Sequence, residues 1–162
     1  MRPGRWHTRE DSGLRLDRDF RWWHDGEPIE HPNIIEAFNR GVRVDDDGRV
    51  TLHFGNDWCV IEVEGAPYRV VAVDEAPEGG LSVRLSDRTA EWLAPSTLAL
   101  DDDGVLSARV KQGRARARFS RDAQFQLAER LAVVDGVVVL EAGALRLPTP
   151  LSPALFISPS TA

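Results

Sequence analysis

Apolar residues at every second position, interrupted by short acidic turns, constrain the fold of this chain more than any other feature. Apolar and polar residues alternate at 42–44 and 50–54, on either side of an Asp-Asp-Asp-Gly segment at 45–48. The same four turn residues recur at 101–104. A period of two is typical of half-buried strands, and an acidic run ending in glycine favours a tight turn. The sequence therefore predicts antiparallel strand pairs and suggests an internal duplication.

Two short helices are expected among these strands. Pro32 suits a first helical position and Gly41 a C-terminal cap, so we predict a helix over 32–40. Ser120 is a suitable N-cap for a second helix over 121–132. Both are too short to be stable alone, so each should pack on a sheet. The positions expected in the core include Ile34, Phe38, Leu52, Ile61 and Val63.

The predicted fold class is α+β, with two similar packed halves, each a bent, mostly antiparallel sheet with a short helix. At 162 residues the chain is long enough to bury about two thirds of its unfolded surface in one unit. We also expect residues 58–63 to pair with 68–73. The expected divisions are a loose N-terminal arm at 1–13, a first α/β half at 14–85, a second α/β half at 86–147 and a proline-rich tail at 148–162.

Composition narrows the classes of partner. A net charge of −6 and a pI near 5.2 argue against affinity of the whole protein for nucleic acid. No run approaches the roughly 20 apolar residues of a membrane helix, and the N-terminus lacks the apolar core of a signal peptide, so we expect a cytoplasmic protein without membrane contact. The single cysteine, Cys59, follows Trp58 in an apolar stretch and is expected to be a buried thiol.

Several blocks of the sequence resemble the domain of unknown function 1285 (DUF1285) family. They lie at residues 19–29, 47–52 and 61–68, with the predicted first helix and its Phe38 between the first two. A weaker similarity continues at 116–127, so the resemblance covers roughly residues 14–147. It is moderately specific, because it rests on the order and spacing of the blocks.

The resemblance implies a bacterial protein of two intimately packed, similar α/β halves, with no established activity and a suspected role in ligand binding or signalling. It implies no catalytic residue. Three positions depart from the family pattern: Phe20 replaces a usual glycine, Gly55 a usual proline, and Gly65 an expected aspartate. The loss of that aspartate puts in doubt any site built on it.

The usual chemical motifs are absent from the sequence. The four histidines show no metal-ligand spacing with one another or with Cys59, so neither a metal nor a cofactor is expected. His24 beside Asp25 suggests a turn more than an acid–base pair. The acidic runs lack the alternate ligands and final glutamate of a calcium loop. No phosphate loop or nucleophile elbow appears.

The most informative segment is 105–121, which contains six basic residues and no acid: Arg109, Lys111, Arg114, Arg116, Arg118 and Arg121. A turn at Gln112-Gly113 would place Lys111 opposite Arg114 and Arg109 opposite Arg116. Like charges opposed across strands are destabilising, so an anion should lie over this face. Either the protein's own carboxylates or a bound ligand could supply it. The predicted ligand-binding residues are Arg109, Arg114, Arg116, Arg118, Trp22 and Trp58.

These observations lead to three functional hypotheses. The first is a non-enzymatic ligand-binding or regulatory module that uses a cleft between the halves and takes an anionic small molecule. The alternative is a protein–protein interaction or dimerisation module that recognises an acidic protein surface or a second copy of the chain. The third is an enzyme of unknown class. A concave pocket lined by arginine and tryptophan would favour the first hypothesis, and a flat apolar patch the second.

Overall fold

The structure, a computed structural model, describes residues 7–156 and contains among them two α-helices and sixteen strands in four sheets. Most neighbouring strands are antiparallel, so the predicted α+β class is confirmed. No helix in the described part of the chain is long and apolar enough to cross a membrane.

The first part of the chain forms two sheets and one helix. Its elements are β1 (Leu14–Leu16), β2 (Trp22–His24), β3 (Glu27–Pro28), α1 (Pro32–Gly41), β4 (Val42–Val44), β5 (Val50–Phe54), β6 (Asp57–Val60) and β7 (Glu62–Val63). One sheet has the order β3-β2-β1-β7, in which β1 and β7 are parallel, and the other has the order β4-β5-β6. Helix α1 packs on β5, and the His31 side chain caps its first turn.

The second part contains the largest sheet. Its elements are β8 (Tyr68–Glu75), β9 (Leu81–Leu85), β10 (Ala90–Trp92), β11 (Ala99–Leu100), β12 (Leu106–Val110), β13 (Ala115–Phe119), α2 (Arg121–Ala128), β14 (Leu131–Val134), β15 (Val137–Ala142) and β16 (Leu145–Pro148). The six-stranded sheet has the order β10-β9-β8-β13-β12-β11, with β8 and β13 parallel, and helix α2 packs on β8. The remaining sheet has the order β14-β15-β16.

One turn geometry occurs three times in the fold. Both Asp-Asp-Asp-Gly segments are exposed turns between antiparallel strands, as predicted. In each, the first carboxylate, of Asp45 or Asp101, accepts the backbone N–H groups two and four residues later. Asp17 heads a third turn with the same hydrogen bonds, but its fourth residue is Phe20, at φ 63°, where the other two turns have glycine.

The structure corrects three predictions. The second helix ends at Ala128 instead of 132, because the valine-rich segment Leu131–Val134 pairs with β15 as a strand. Residues 58–63 do not pair with 68–73; β7 pairs with β1, and β8 lies between β9 and β13. Ile34 is 43% exposed because the buried side of the short helix is narrower than predicted, and Phe38 is half-buried.

The core extends across the predicted divisions of the chain. Strands β9 and β10, on either side of the expected boundary after residue 85, are neighbours in one sheet. In the predicted N-terminal arm, the carbonyl oxygen of Arg9 accepts the Val60 N–H, and the Ser12 hydroxyl donates to the Val60 carbonyl. In the predicted tail, Leu151 is buried, a short 3-10 helix follows at Pro153–Phe156, and residues 157–162 lie outside the described range.

Candidate functional site: an arginine-lined cleft

The basic hairpin has one face rich in arginine. Strands β12 and β13 pair Arg109 with Arg116 and Ser107 with Arg118, in the register predicted for the first pair. The opposite face is buried and apolar, so these polar side chains leave the core on one side. Arg116 donates to the Ser107 hydroxyl at 2.7 Å, and Arg109 donates weakly to the Gly113 carbonyl.

The turn of this hairpin differs from the prediction. It spans residues 111–114, not two residues, and Lys111, Gln112 and Gly113 all have positive φ angles. The resulting backbone path directs the Lys111 ammonium group to Asp87, at 2.6 Å, so Lys111 does not lie opposite Arg114. Arg114 instead forms an exposed ion pair with Asp46 at 3.2 Å. One of the two predicted repulsions, that between Lys111 and Arg114, is therefore removed by the protein's own carboxylates, whereas Arg109 and Arg116 remain directly opposed.

The two predicted tryptophans lie away from the arginine face. Trp22 is 1% exposed, and its indole N–H donates to Asn39 Oδ1 at 2.8 Å, as expected of a core residue. Trp58 is half-buried, with the guanidinium groups of Arg9 and Arg49 over its ring at 5.2 and 5.9 Å. It lines a different cleft from the one that Arg118 enters.

Arg118 connects the hairpin to a cleft of about 950 Å³. Five arginines line this cleft: Arg18, Arg21, Arg69, Arg118 and Arg121. The turn headed by Asp17 supplies the first two, β8 and β13 supply one each, and Arg121 begins α2. Asp19 is the one carboxylate among the lining residues. The parallel pairing of β8 and β13 places Arg69 directly beside Arg118.

Two of these arginines are held by carboxylates. Arg118 donates to Asp101 Oδ2 at 3.0 Å and also reaches Asp103, which pairs with Arg18. Arg118 further donates to the Arg18 carbonyl oxygen, so the two sides of the cleft are joined. Burial opposes ionisation of Asp101, but hydrogen bonds from the Val105 and Asp103 N–H groups and the charge of Arg118 hold its pKa below the ordinary value. These pairs fix the position of Arg118 in the wall.

The other three arginines remain available in the cleft. Arg21, Arg69 and Arg121 form no ion pair with any residue in the described range 7–156. Burial would raise the pKa of Asp17, but its hydrogen bonds from the Arg21 N–H and the Trp23 indole, with the nearby Arg21 charge, keep it low. Arg121 opens α2, where the helix dipole adds to the positive potential.

Two phenylalanines give the cleft an apolar component. Phe125 lines it and is 71% exposed, and the Arg69 guanidinium lies 5.9 Å from the Phe20 ring centre. Gly65 lies at the rim, where an added Cβ would be 3.2 Å from Arg18 Cα and 3.4 Å from Arg118 Nη1. An aspartate at this position would therefore place a carboxylate beside Arg118, and glycine leaves the cleft more basic than aspartate would.

The sequence predicted only one of the five cleft arginines, Arg118, as a site residue. Arg18 and Arg21 could have been found by aligning the segment at 17–21 with the two acidic turns, since all three share the Asp-x-Asp pattern. The parallel pairing that brings Arg69 to Arg118 leaves no local pattern, because it joins strands that are distant along the chain.

Two solved structures resemble this chain. A DUF1285 family protein from Silicibacter pomeroyi DSS-3 matches with a TM-score of 0.67 and 20% sequence identity, covering 89% of this chain and 82% of that one. A DUF1285 family protein from Shewanella baltica OS155 matches with a TM-score of 0.55 and 19% identity, covering 73% of this chain and 91% of that one. No family model and no curated protein matches the sequence. The resemblance seen in the sequence thus holds for the fold, and the chain has the architecture of DUF1285 family proteins.

Proposed function

We propose that this protein is a non-enzymatic ligand-binding module and that the arginine-lined cleft takes an anionic small molecule. The observation that carries the proposal is the charge of the cleft: five guanidinium groups against one lining carboxylate, with three of the five outside any ion pair in residues 7–156. Planar guanidinium groups donate paired hydrogen bonds to phosphate or carboxylate oxygens, so a bound anion would relieve their mutual repulsion.

The chemistry of the cleft favours binding over catalysis. Arginine stays protonated at all physiological pH values and cannot exchange protons as a general acid or base. The cleft volume is within the usual range for small-molecule sites. Phe20 and Phe125 supply apolar surface beside the guanidinium groups, which supports an anion that also carries a ring or another apolar part.

The backbone of Phe20 supports the same assignment. Phe20 has a left-handed backbone conformation, and the equivalent positions of the turns at 45–48 and 101–104 are occupied by Gly48 and Gly104. A residue other than glycine in this conformation costs roughly 1 kcal/mol. Backbone strain of this kind is concentrated at ligand-binding positions. Phe20 lies between the basic cleft and a second recess of about 390 Å³ lined by Trp22, Trp23 and Ile29. Phe20 also packs against the core, and its position beside both recesses would allow the ring to contact a ligand.

The test compares inorganic phosphate with phenyl phosphate as probes, using calorimetry and the shift in melting temperature. Both probes should stabilise the protein, with phenyl phosphate binding more tightly, because a ligand selective for the folded state raises its stability. The paired substitution Arg69→Gln and Arg121→Gln should remove most of the effect. The matched control changes Arg109 and Arg116 to glutamine on the outer hairpin face and should leave binding unchanged. If the control pair is the one that abolishes binding, the anion lies on the hairpin and the cleft assignment is wrong.

A second pair of variants tests the rim of the cleft. Gly65→Asp should weaken phosphate binding by roughly tenfold or more, because its carboxylate would pair with Arg118 and repel the anion. Gly65→Ala adds a Cβ in the same narrow space without charge and should retain most of the affinity. Equal losses in both variants would show that the space at the rim matters and the charge does not.

A further inference from the structure

A separate cluster of potential metal ligands lies where the N-terminal segment meets the end of β2. His7 Nε2 lies 2.9 Å from Asp25 Oδ2, and His24 Nε2 lies 3.7 Å from the same oxygen. The two imidazole rings are 4.9 Å apart between centres. One potential ligand atom from each of the three residues lies within 4.8 Å of the others.

The local backbone is shaped to bring these groups together. Asp25 opens a tight turn at φ 49°, and its N–H donates to the Gly13 carbonyl at 3.0 Å. Gly13 has a φ of 74°, and a Cβ there would clash with the Asp25 carboxylate and lie 3.0 Å from His7 Cε1. Only glycine therefore allows the carboxylate and the imidazole to approach over this point. The segment is held in place because the backbone carbonyl oxygen of Arg9 accepts the Val60 N–H.

The polar contact of the His7 ring is made with the Asp25 carboxylate. Its Nδ1 is buried without a hydrogen-bond partner in the described structure, so the ring is oriented by the contacts at Nε2. The Nε2 atoms of His7 and His24 both approach the same oxygen of Asp25. A cation placed among these three atoms would be bound by the lone pairs of both Nε2 atoms.

We propose that His7, His24 and Asp25 bind a divalent transition-metal ion of the zinc class. Two imidazole nitrogens and one carboxylate oxygen are the donors that zinc and its neighbours prefer, whereas magnesium and calcium prefer oxygen ligands alone. Metal–ligand bonds of about 2.0–2.1 Å place ligand atoms roughly 3.3 Å apart in a tetrahedral site. The observed 2.9 and 3.7 Å to the Asp25 oxygen are on either side of that separation, and all three ligand atoms lie within 4.8 Å of one another, so side-chain rotations are needed to reach a tetrahedral arrangement.

The remaining coordination positions would face an open cleft. The His24 side chain is 47% exposed and that of Asp25 33% exposed, and the histidines line a recess of about 400 Å³ together with Trp58 and Cys59. Water or a further ligand can therefore complete the coordination of the ion. This recess shares no lining residue with the arginine-lined cleft, so the proposal is independent of the anion site.

The experiment titrates Zn²⁺ into the full-length, untagged chain in competition with a chromophoric chelator. One equivalent should bind and raise the melting temperature, because the ion selects the folded state. His7→Ala and His24→Ala should each weaken binding by roughly tenfold or more, the scale of even indirect ligand changes. Asp25→Asn should do the same while preserving the turn, since asparagine tolerates a left-handed backbone. Circular dichroism of each variant verifies that the fold is intact.

Two controls separate this site from incidental binding. His53 is an exposed histidine that contacts Thr51, and His53→Ala should bind Zn²⁺ like the wild type. Cys59→Ser should also be unchanged, which would exclude a thiolate site. The proposal is overturned if the wild-type protein does not bind one equivalent of Zn²⁺. It is also overturned if His24→Ala and Asp25→Asn bind the ion as tightly as the wild type does.

Discussion

At the scale of single residues, a lysine in the hairpin turn completes a cluster of partly buried polar side chains. The Lys111 ammonium group contacts Asp87 and lies 5.1 Å from the centre of the Tyr68 ring. Burial raises the pKa of Tyr68 to about 12, and its hydroxyl donates to the Val42 carbonyl. Burial also opposes ionisation of Asp87, but hydrogen bonds from Lys111 and Thr89 keep its pKa low. Lys111 thus connects the β12–β13 turn with the turn that follows β9 and with Tyr68 in β8.

Substitutions at the left-handed positions of the repeated turn should have predictable effects on stability. Gly48→Ala should lower the free energy of unfolding by about 1 kcal/mol, because an added Cβ meets no atom within 4 Å and only backbone strain remains. Phe20→Asn, at the equivalent position, should change stability by less than about 1 kcal/mol, since relief of strain offsets the lost ring contacts. Urea denaturation measures both. A loss of several kcal/mol for Phe20→Asn would show that the ring is a core residue.

At the scale of elements, α1 closes the first half of the core with one aromatic residue. The Phe38 ring packs edge-on against Trp22, with centres 5.3 Å apart, and also meets Phe54. Ile35 also packs against the core, whereas Ile34 is 43% exposed. The apolar contacts of the helix with the core are therefore made by Ile35 and Phe38.

The attachment of α1 can be tested directly. Phe38→Ala should destabilise the protein by about 2–3 kcal/mol, less than for a fully buried phenylalanine because this ring is half-buried. Ile34→Ala, on the same helix, should cost less than about 1 kcal/mol. Chemical denaturation of the two variants gives the comparison. Equal effects would mean that helix propensity, not packing, determines the stability of α1.

The turn at 101–104 should give the fold a distinct response to acid. The folded-state pKa of Asp101 is below its unfolded value, so its carboxylate stabilises the fold above about pH 4. That contribution is lost as the pH falls through the lowered folded pKa. Asp101→Asn keeps an oxygen acceptor for the turn but loses the ion pair with Arg118. We expect its unfolding free energy to depend less on pH between about 5 and 2 than that of the wild type; parallel curves would contradict this.

At the scale of the whole molecule, the six-stranded sheet unites the chain. It contains β8 and β9 from the predicted first half and β10 to β13 from the predicted second half. Turns, helix starts and hairpins could be predicted because their signals are local, such as Pro32 and the acidic segment at 45–48. The two parallel pairings could not, because they join strands with no turn between them. The arginine-lined cleft depends on one of these pairings, and so only Arg118 was predicted.

This continuity predicts cooperative unfolding. Tryptophan fluorescence and far-ultraviolet circular dichroism should report one coincident transition in urea, as in a two-state domain. A fragment that ends at residue 85 should remain unfolded, because β8 and β9 would lack their neighbours β13 and β10. Two separated transitions, or a folded fragment, would show that the halves are independent units.

The parallel contact between β8 and β13 also determines the order of events during synthesis. While the ribosome adds residues 76–114, one edge of β8 has no partner, because residues 115–119 have not yet been made. At about 5–20 residues per second this interval lasts seconds, longer than hairpin formation requires. The nascent chain therefore has an unpaired strand edge until residues 115–119 emerge, and chaperones would have their greatest effect on its yield in that interval.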